Sequence, residues 1–387
     1  MTNGAETAEF AGSLSEVFAG VRDLIANGSS GPVRVVYVEV GRKPPLTSPT
    51  DGPVQVSTSP STLTPGDSGY ELEWNLQGHA VIAYMAQSIL QDENADVSQR
   101  LQAAIAADPD NRGDIGDLAM WPDKIKHPPP GAFPEYKSKG WIDLGKKTQP
   151  MHFVDIPYEP GSDATPQIPS SRETPTILVG LPQYLQELSG WSDASSGANA
   201  LAFVIHFAGD IHQPLHCACL KADPYQPPDY DKGGNLLAWG NSEKNPPSLH
   251  KLWDDSVAAR PADVAKQVAA LLSKYPRSHF DNDLTVQDLK DWALDSFATA
   301  GKAYDRFLAE TKYDDSTERY TPPSAEYKRW AIEVAQERAA LAAYRLADLL
   351  ATSLPTLDQI SGVAGRQNGS PRGAGTSARR KRAKKSS

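Results

Sequence analysis

The sequence predicts an all-α main domain with long loops, preceded by a small N-terminal extension. Three segments carry this prediction, because each places apolar residues at helical spacing. They are GHAVIAYMAQSIL (78–90), GANALAFVIHFAGDIHQ (197–213) and the run over 324–354. The loops between them, at 127–140 and 221–248, are rich in proline and glycine. Strand patterns are sparse across this region, so we expect a mostly helical fold.

The first seventy residues or so predict a separate, smaller unit. Residues 12–27 carry apolar side chains on one helical face, and PVRVVYVEV (32–40) predicts a strand. The segment 46–70 is rich in Pro, Ser, Thr and Gly, a composition typical of linkers. The predicted boundaries are 1–45 for the extension, 46–70 for the linker, 71–356 for the main domain and 357–387 for a basic tail.

Charge is unevenly spread along the 387 residues, whose net charge is −10. After position 360 there are eight basic residues and no acidic one, which leaves about −18 for the rest of the chain. The tail is too polar to fold and is expected to be disordered. No apolar run approaches eighteen residues, so no membrane span is predicted.

Neither the first residues nor the cysteines indicate an exported protein. The stretch MTNGAETAEFAGSLSEVF is acidic and lacks the basic and apolar regions of a signal peptide. Cys217 and Cys219, the two cysteines of the chain, are too close in sequence for an unstrained disulfide. These features leave the cellular location of the protein undetermined.

A short segment concentrates histidine. HFAGDIHQPLHC (206–217) holds three of the eight histidines of the chain. His206 and Asp210 are four residues apart, on one face of a helix, and the same spacing recurs in His250 and Asp254. A proline should end the first helix at position 214, so that His216 turns back toward the same centre.

Imidazole nitrogen and carboxylate oxygen are ligands that zinc accepts, and a zinc ion with an open position activates water. The repeated spacing therefore predicts a metal site. A lone buried histidine is more commonly a hydrogen-bonded core residue, and that alternative stays open for each position taken separately.

At these positions the chain resembles the zinc-dependent single-strand-specific nucleases and 3′-nucleotidases of the nuclease S1 and P1 type, which are similar to zinc phospholipase C in fold. The resemblance runs from about Trp74 to Leu354. The motifs that carry it are WNLQGH (74–79), MWPDKIK (120–126), MHFVDIP (151–157), HFAGDIHQPLH (206–216), DKGGNLLAW (231–239) and LHKLWDD (249–255).

The resemblance implies two or three zinc ions per chain. One would be bound by Asp123, His152, His206 and Asp210. A second would be bound by His216, His250 and Asp254. The third would be bound by His79, Asp210 and the backbone of Trp74. Asp210 would then bridge two ions, and a hydroxide between them would be the nucleophile.

The resemblance also implies a substrate and the residues that recognise it. The reaction would be hydrolysis of single-stranded DNA and RNA to 5′-nucleotides, with 3′-nucleotidase activity as a further expectation. Asp123, Asp210 and Lys126 would serve the chemistry. Phe153 would stack on a base and Asp155 would hydrogen-bond its edge. Gly233, Gly234 and Asn235 would line the cleft near the nucleotide.

The chain departs from the family at Trp74, which is internal here although the family uses its free amine as a ligand. Three alternatives follow: proteolysis before Trp74, a weak or absent third zinc, or a substitute carboxylate from Glu71 or Glu73. We expect a preserved metal-binding core with an altered third site.

Two further positions leave alternatives. Lys126 stands where the family usually has arginine, and it either faces phosphate or is a solvated lysine. Cys219 is either an extra zinc ligand or, like Cys217, a small buried side chain.

Two other functions compete with a nuclease. A phospholipase C-like or other zinc phosphoesterase would use the same cluster, but Phe153 with Asp155 favours the nuclease. In a non-catalytic zinc-binding protein there would be no physical reason to keep the other eight ligand positions. We expect a monomer that acts on single-stranded nucleic acid or nucleotides. The tail segment ARRKRAKK (378–385) either attracts phosphate backbones or serves solubility.

Overall fold

The computed structural model describes residues 7–10, 34–37, 76–128, 131–170, 174–227, 230–242, 246–258 and 260–367. The predicted helix over 12–27, the predicted linker and Trp74 with its neighbours Glu71 and Glu73 lie outside the described residues. The domain boundaries before residue 76 therefore stay predictions.

Helices account for most of the described chain. They are α1 (Leu76–Glu93), α2 (Ala95–Ala106), α3 (Ile115–Lys126), α4 (Phe133–Ser138), α5 (Trp141–Thr148), α6 (Ile177–Gly190), α7 (Ala194–Asp210), α8 (Leu249–Asp254), α9 (Val264–Lys274), α10 (Leu289–Glu310), α11 (Ala325–Ser353) and α12 (Leu357–Gln367). Short 3₁₀ turns occur at Gln149–His152, Pro214–His216, Pro261–Asp263, Arg277–Phe280 and Asp283–Thr285. The predicted all-α fold class is confirmed.

The strands of the described residues are short and pair two by two. Strand β1 (Thr7–Phe10) pairs in parallel with β2 (Arg34–Tyr37), which lies inside the predicted strand at 32–40. Strand β3 (Pro157–Tyr158) pairs in parallel with β4 (Cys219–Leu220), and β5 (Tyr313–Asp314) pairs antiparallel with β6 (Arg319–Tyr320).

Helix α7 is the centre of the helical core. Its sequence is apolar on every face, and from Ala200 to Asp210 each residue is buried. A helix that is apolar all round has to be surrounded by other elements. Helices α1, α3, α6 and α11 pack around it, so that the ends of several helices meet near the last turn of α7. This packing creates the place where ligands from distant parts of the sequence can converge.

Two parts of the sequence prediction need correction. The loop predicted at 127–140 contains the short helix α4, and the tail predicted to begin at 357 begins instead with helix α12. Ile360 and Val363 of α12 are buried against the core, and α12 packs on α2 and α7. The apolar residues of α12 are three apart, which is helical spacing, but the basic residues that follow led to the prediction of a disordered tail.

Among the described residues, no helix combines the length and apolar character needed to cross a bilayer.

The turn after α7 is fixed by a buried polar network. His212 donates from Nδ1 to the carbonyl of Ala208 (2.8 Å), and its Nε2 accepts from Arg345 (2.9 Å). Arg338 donates to the carbonyl of His212 (3.3 Å) and to Ser296 Oγ (2.7 Å). Helices α10 and α11 thereby hold the turn that connects α7 to the next 3₁₀ turn.

Burial, then the charges of Arg345 and Arg338, lower the pKa of His212 well below its ordinary value of 6.5. The unfolded chain binds a proton at His212 near pH 6.5, whereas the folded protein does not. The contribution of His212 to stability is therefore lost as the pH falls below about 6.5 and is fully present above it.

A His212→Gln variant lacks the titrating group. We therefore expect its free energy of unfolding to lack the pH dependence that His212 contributes. Relative to the variant, the wild-type protein should lose up to about 1.4 kcal/mol per pH unit below about pH 6.5. Urea denaturation of both proteins between about pH 5 and 8 measures the difference. A difference that stays constant over this range contradicts the assignment.

Candidate metal centre

The histidine and aspartate side chains singled out from the sequence lie together at the end of α7. They come from α1 (His79), α3 (Asp123), the turn at 149–152 (His152), α7 (His206 and Asp210), the turn at 214–216 (His216) and α8 (His250 and Asp254). All of them are buried. The structure thus places eight predicted ligand residues in one centre.

The first group surrounds Oδ2 of Asp210. This oxygen lies 2.9 Å from His152 Nδ1 and 3.1 Å from His206 Nε2. Asp123 approaches from α3, with its Oδ1 at 3.4 Å from His206 Nε2. His206 and Asp210 therefore lie on one face of α7, as their i, i+4 spacing predicted, and approach the same point.

The second group consists of His216, His250 and Asp254, each of which offers one ligand atom within 4.8 Å of the others. The His216 and His250 rings are stacked with centroids 5.2 Å apart, and His250 Nε2 lies 3.5 Å from Asp254 Oδ2. Asp210 Oδ1 is 3.2 Å from His216 Nδ1. Asp210 thus contacts both groups, one through each carboxylate oxygen.

His79 also contacts Asp210. Its Nε2 is 3.4 Å from Asp210 Oδ1 and 4.0 Å from Asp123 Oδ2, and its ring stacks on His206 with centroids 3.8 Å apart. The ligand atoms of His79, Asp123 and His206 form a third close group. Since Trp74 lies outside the described residues, the three alternatives for the third site stay predictions.

Gly209 allows His79 to come this close to α7. A Cβ atom at Gly209 would lie 2.9 Å from Nδ1 of His79 and 3.3 Å from Ile82 Cδ1. Real Cβ atoms are not found nearer than about this distance, so His79 would have to move. The glycine before Asp210 is therefore a requirement of the ligand geometry that sequence reasoning missed.

Hydrogen bonds to main-chain carbonyls orient two of the rings. His206 donates from Nδ1 to Ala119 O (2.7 Å) and His250 donates from Nδ1 to Gly233 O (2.7 Å), so Nε2 of each ring faces the centre. The Gln213 side-chain amide donates to Asp254 Oδ1 (2.8 Å) and thereby orients this carboxylate. Gln213 was not predicted as a site residue, and its only sequence signal is its place between two ligand positions.

The donor set and its unsatisfied atoms fit a divalent metal. Among the described residues, neither ring nitrogen of His79 makes a hydrogen bond although both are buried, and Oδ1 of Asp210 makes none either. The 3.4 Å contact between them is longer than an ordinary N–H···O hydrogen bond. Buried polar atoms nearly always have a partner. Imidazole nitrogen and carboxylate oxygen atoms are ligands that zinc and other divalent transition metals accept.

The charges of His206, Asp210 and Asp123 stabilise one another. Burial alone would lower the pKa of His206, but Asp210 and Asp123 outweigh it and raise the pKa to about 10. Burial would raise the pKa of Asp210, but His206 and His216 hold it well below its ordinary value. In the absence of a metal, a proton on His206 therefore balances part of the charge of the two carboxylates, and a metal ion would replace this proton.

The profile of the S1/P1 nuclease family matches residues 74–355. The chain belongs to this family. Nuclease S1 of Aspergillus oryzae is 28% identical over 300 residues, which are 72% of this chain and 92% of that relative. Endonuclease 1 of Arabidopsis thaliana is 27% identical over 233 residues, 57% of this chain and 65% of the relative. Nuclease P1 of Penicillium citrinum is 27% identical over 147 residues, 37% of this chain and 47% of the relative.

Membership in the S1/P1 nuclease family confirms two predictions. The chain is a hydrolase that acts on phosphodiester bonds, and nucleic acid is its class of substrate. The recognition from the ordered motifs is confirmed over nearly the same range, about Trp74 to Leu354.

Lys126 differs from the solvated lysine that the sequence allowed. Its Nζ lies 3.1 Å from Asp123 Oδ1, and its side chain is only 3% exposed. Burial would raise the pKa of Asp123, but Lys126 and then His206 hold it well below its ordinary value. A buried lysine beside a carboxylate has to stay paired, so the solvated alternative is wrong.

The predicted substrate residues lie beside the cluster. Phe153 and Asp155 are partly buried on the segment that follows His152, and the amide of Val154 donates to the carbonyl of His216 (2.8 Å). Burial raises the pKa of Asp155 to about 6, with His216 opposing the shift.

The glycine loop at 233–235 lies against His250. Gly233 has a left-handed φ of +62°, and a Cβ there would be 2.5 Å from the carbonyl of Leu215. The Asn235 side-chain amide donates to Lys232 O (3.0 Å), which stabilises the turn itself. Asp231, which sequence reasoning missed, accepts from the amides of Leu220 (2.6 Å) and Gly234 (2.7 Å). Glycine at 233 and the carboxylate of Asp231 together fix this loop.

The cysteines do not join the metal groups of the described residues. Cys217 is buried and its Sγ lies 3.4 Å from the carbonyl of Ile211. Burial raises the pKa of the Cys217 thiol to about 12 and raises that of Cys219 as well. Both behave as small buried side chains, so the extra-ligand alternative for Cys219 is not supported.

A Gly209→Ala substitution tests the approach of His79. The added methyl group should displace the ring and weaken metal binding about tenfold or more, with helix content unchanged. Elemental analysis after dialysis against a limiting chelator measures the retained metal.

Gly190→Ala is the matched control, since Gly190 is also a helical glycine and nothing lies within 4 Å of a Cβ there. The control should keep its metal and gain slight stability. Equal metal retention in the two variants would contradict the role of Gly209.

Proposed function

We propose that the protein is a zinc-dependent endonuclease that hydrolyses phosphodiester bonds of single-stranded DNA and RNA to 5′-nucleotides, with 3′-nucleotidase activity as a second reaction of the same site. The observation that carries this proposal is the convergence of the ligand groups on Asp210. One carboxylate contacts His152 and His206 through one oxygen and His79 and His216 through the other.

The proposed ligand sets follow these contacts. Asp123, His152, His206 and Asp210 would hold one ion. His216, His250 and Asp254 would hold a second. His79 and Asp210 would contribute to a third. A divalent zinc ion at such a site supplies a Lewis acid, lowers the pKa of water and neutralises charge on phosphate.

The protein's own contribution is to fix the orientation of these donors. Ala119 and Gly233 carbonyls orient His206 and His250, and Gln213 orients Asp254. Lys126 has a similar role toward Asp123, whose anionic form it stabilises. We therefore propose Lys126 as a positioning residue rather than as a direct phosphate ligand.

Preference for single strands follows from the place of Phe153 and Asp155 directly after His152. A base has to leave its stack before it can lie on the partly buried ring of Phe153. An unpaired strand unstacks a base at low free-energy cost. Asp155 would then accept a hydrogen bond from the base edge. This pair supports the nuclease over a phospholipase C-like activity on the same cluster.

An Asp210→Asn variant provides the direct test. Asparagine keeps the size of the side chain but removes the charge that both ligand groups share, so zinc content and hydrolysis of single-stranded DNA should fall together, the rate by about a thousandfold or more. Mass spectrometry of the metal content and a nuclease assay with and without chelator are the measurements.

His279→Gln is the control, because this exposed histidine pairs with Glu337 and lies in no ligand group. It should retain zinc and activity. Fewer than two zinc ions per wild-type chain, or hydrolysis that survives chelation, would overturn the proposal.

The basic tail gives a second test. We expect deletion of 368–387 to raise KM for long single-stranded DNA several-fold at about 50 mM salt, because seven basic residues no longer attract phosphate. The deletion starts after α12, because Ile360 and Val363 of this helix are buried in the core. A tail of the same length with glutamine at those seven positions separates charge from length. Unchanged KM in both variants would remove the tail from substrate binding.

A further inference from the structure

Asp231 is a buried carboxylate that belongs to none of the ligand groups found among the described residues. The residue has no solvent exposure, and no lysine, arginine or histidine in the described part of the chain pairs with it. A buried charge without a cationic partner reduces stability unless hydrogen bonds compensate it. The role of Asp231 therefore depends on what its two oxygen atoms hold.

Each oxygen of Asp231 accepts a hydrogen bond from a different segment of main chain. Oδ1 accepts from the amide of Leu220 (2.6 Å), and Oδ2 accepts from the amide of Gly234 (2.7 Å). A carboxylate accepts on both oxygens, whereas asparagine has one oxygen and a donor NH₂ group in the second place. The ionised side chain therefore joins strand β4 to the loop at 231–235.

The two joined segments lie beside neighbouring candidate ligands. Strand β4 ends four residues after His216. The loop holds His250 twice, because Gly233 O accepts from its ring Nδ1 (2.7 Å) and Gly234 O accepts from its amide (3.4 Å). Asp231 thus connects the chain that follows His216 to the loop that orients His250.

Close packing sets the shortest approach of these segments. A Cβ atom at Gly233 would lie 2.5 Å from the carbonyl of Leu215, so the loop already touches the main chain just before His216. The two hydrogen bonds of Asp231 oppose movement in the other direction. The His216 and His250 rings are stacked with centroids 5.2 Å apart, and the ligand atoms of their group lie within 4.8 Å of one another. Contact and hydrogen bonds together thus define the separation of two ligands.

We propose that Asp231 is a positioning residue for the second metal ion, the one assigned to His216, His250 and Asp254. The inference rests on the proposed function, since that function supplies the ion. The carboxylate fixes the separation of His216 and His250 before the ion binds. The ion therefore binds without first having to bring the two segments together.

The protonation state of Asp231 provides a pH readout of this role. Burial raises its pKa to about 7, and Asp155 raises it further, whereas the two main-chain amides and Tyr304 oppose the shift. The groups that face Asp231 are Tyr304 from α10, Asp155 from the segment before β3 and Cys219 from β4. Below about pH 7 one oxygen carries a proton and becomes a donor. The link between the segments is therefore complete above about pH 7 and weakened below it.

An Asp231→Asn variant of the full chain tests the role. Asparagine keeps the size of the side chain but loses one of the two acceptors. At about pH 8 we expect affinity for the second zinc ion to fall about tenfold or more, as is typical when a residue that orients a metal ligand is replaced. At about pH 6 the wild-type carboxyl is itself protonated, so the two affinities should converge. Competition with a chromophoric chelator measures the affinity for each ion in turn.

Asp108→Asn is the matched control. Asp108 is also buried, and its two oxygens accept from the amides of Asp110 (3.1 Å) and Arg112 (3.0 Å), outside the metal centre. It pairs with Arg112 as well, so its replacement costs the fold at least as much stability. The control should keep the wild-type zinc affinity at both pH values. An equal loss of affinity in the two variants would overturn the positioning role of Asp231.

Hydrogen exchange of the metal-free full chain gives a readout that does not depend on zinc. The amides of Leu220, Gly234 and His250 should exchange about tenfold faster in Asp231→Asn and at the wild-type rate in the control. Wild-type protein that binds fewer than two zinc ions, with this difference in exchange present, would defeat the proposed function and leave the link in place. Two bound ions, with affinity and exchange unchanged in Asp231→Asn, would overturn the role of Asp231 alone.

Tyr304→Phe is a second variant, for the case in which Asp231→Asn does not fold. It keeps the carboxylate and the ring that stacks on Tyr158 (5.8 Å), but it removes the hydroxyl group that lowers the pKa of Asp231. Asp231 should then take up its proton at a higher pH. We therefore expect the pH at which affinity for the second ion declines to move upward, and an unmoved profile contradicts the role of Asp231.

Discussion

A single buried carboxylate constrains the rest of the structure. Asp210 has no solvent exposure, and it is the last residue of α7. The carbonyl groups at a helix C-terminus already give this position a negative potential. A buried charge there is tolerable only if cationic or metal partners surround it. Ring nitrogens of His79, His152, His206 and His216 lie 2.9–3.4 Å from its carboxylate oxygens, where they can accept a metal ion between them.

The packing of the helices follows from the same need. Helices α1 and α3 cross α7 near its end and deliver His79 and Asp123, and the crossing of α1 requires a glycine at 209. On the opposite side, α10 and α11 hold the turn after Asp210. Ser296 donates to the carbonyl of Ile211 (2.6 Å), and Arg338 donates to the carbonyl of His212. The candidate metal ligands are therefore fixed by polar contacts as well as by the apolar core.

Five of the eight candidate ligands could be predicted from local spacing, whereas His79, Asp123 and His152 followed from the resemblance of their motifs to the family. His206 with Asp210, and His250 with Asp254, repeat a spacing that puts both side chains on one helical face. The long helices around them have continuous apolar patterns, which the structure shows as α1, α7 and α11. Three other features of the structure were not predicted from the sequence. Helix α12 was hidden by the basic composition that follows it, and Asp231 and Gln213 are common polar residues whose roles depend on partners far away in sequence.

Residue patterns alone were enough to predict the fold class, the family and the candidate donor residues, because ordered motifs and spacing along a helix already restrict where side chains point. The tertiary structure decided which donors share a centre and which charges are buried. It placed Lys126 against Asp123 rather than in solvent and kept both cysteines away from the ligand groups. These outcomes depend on contacts between segments distant in sequence, whose geometry no local pattern specifies.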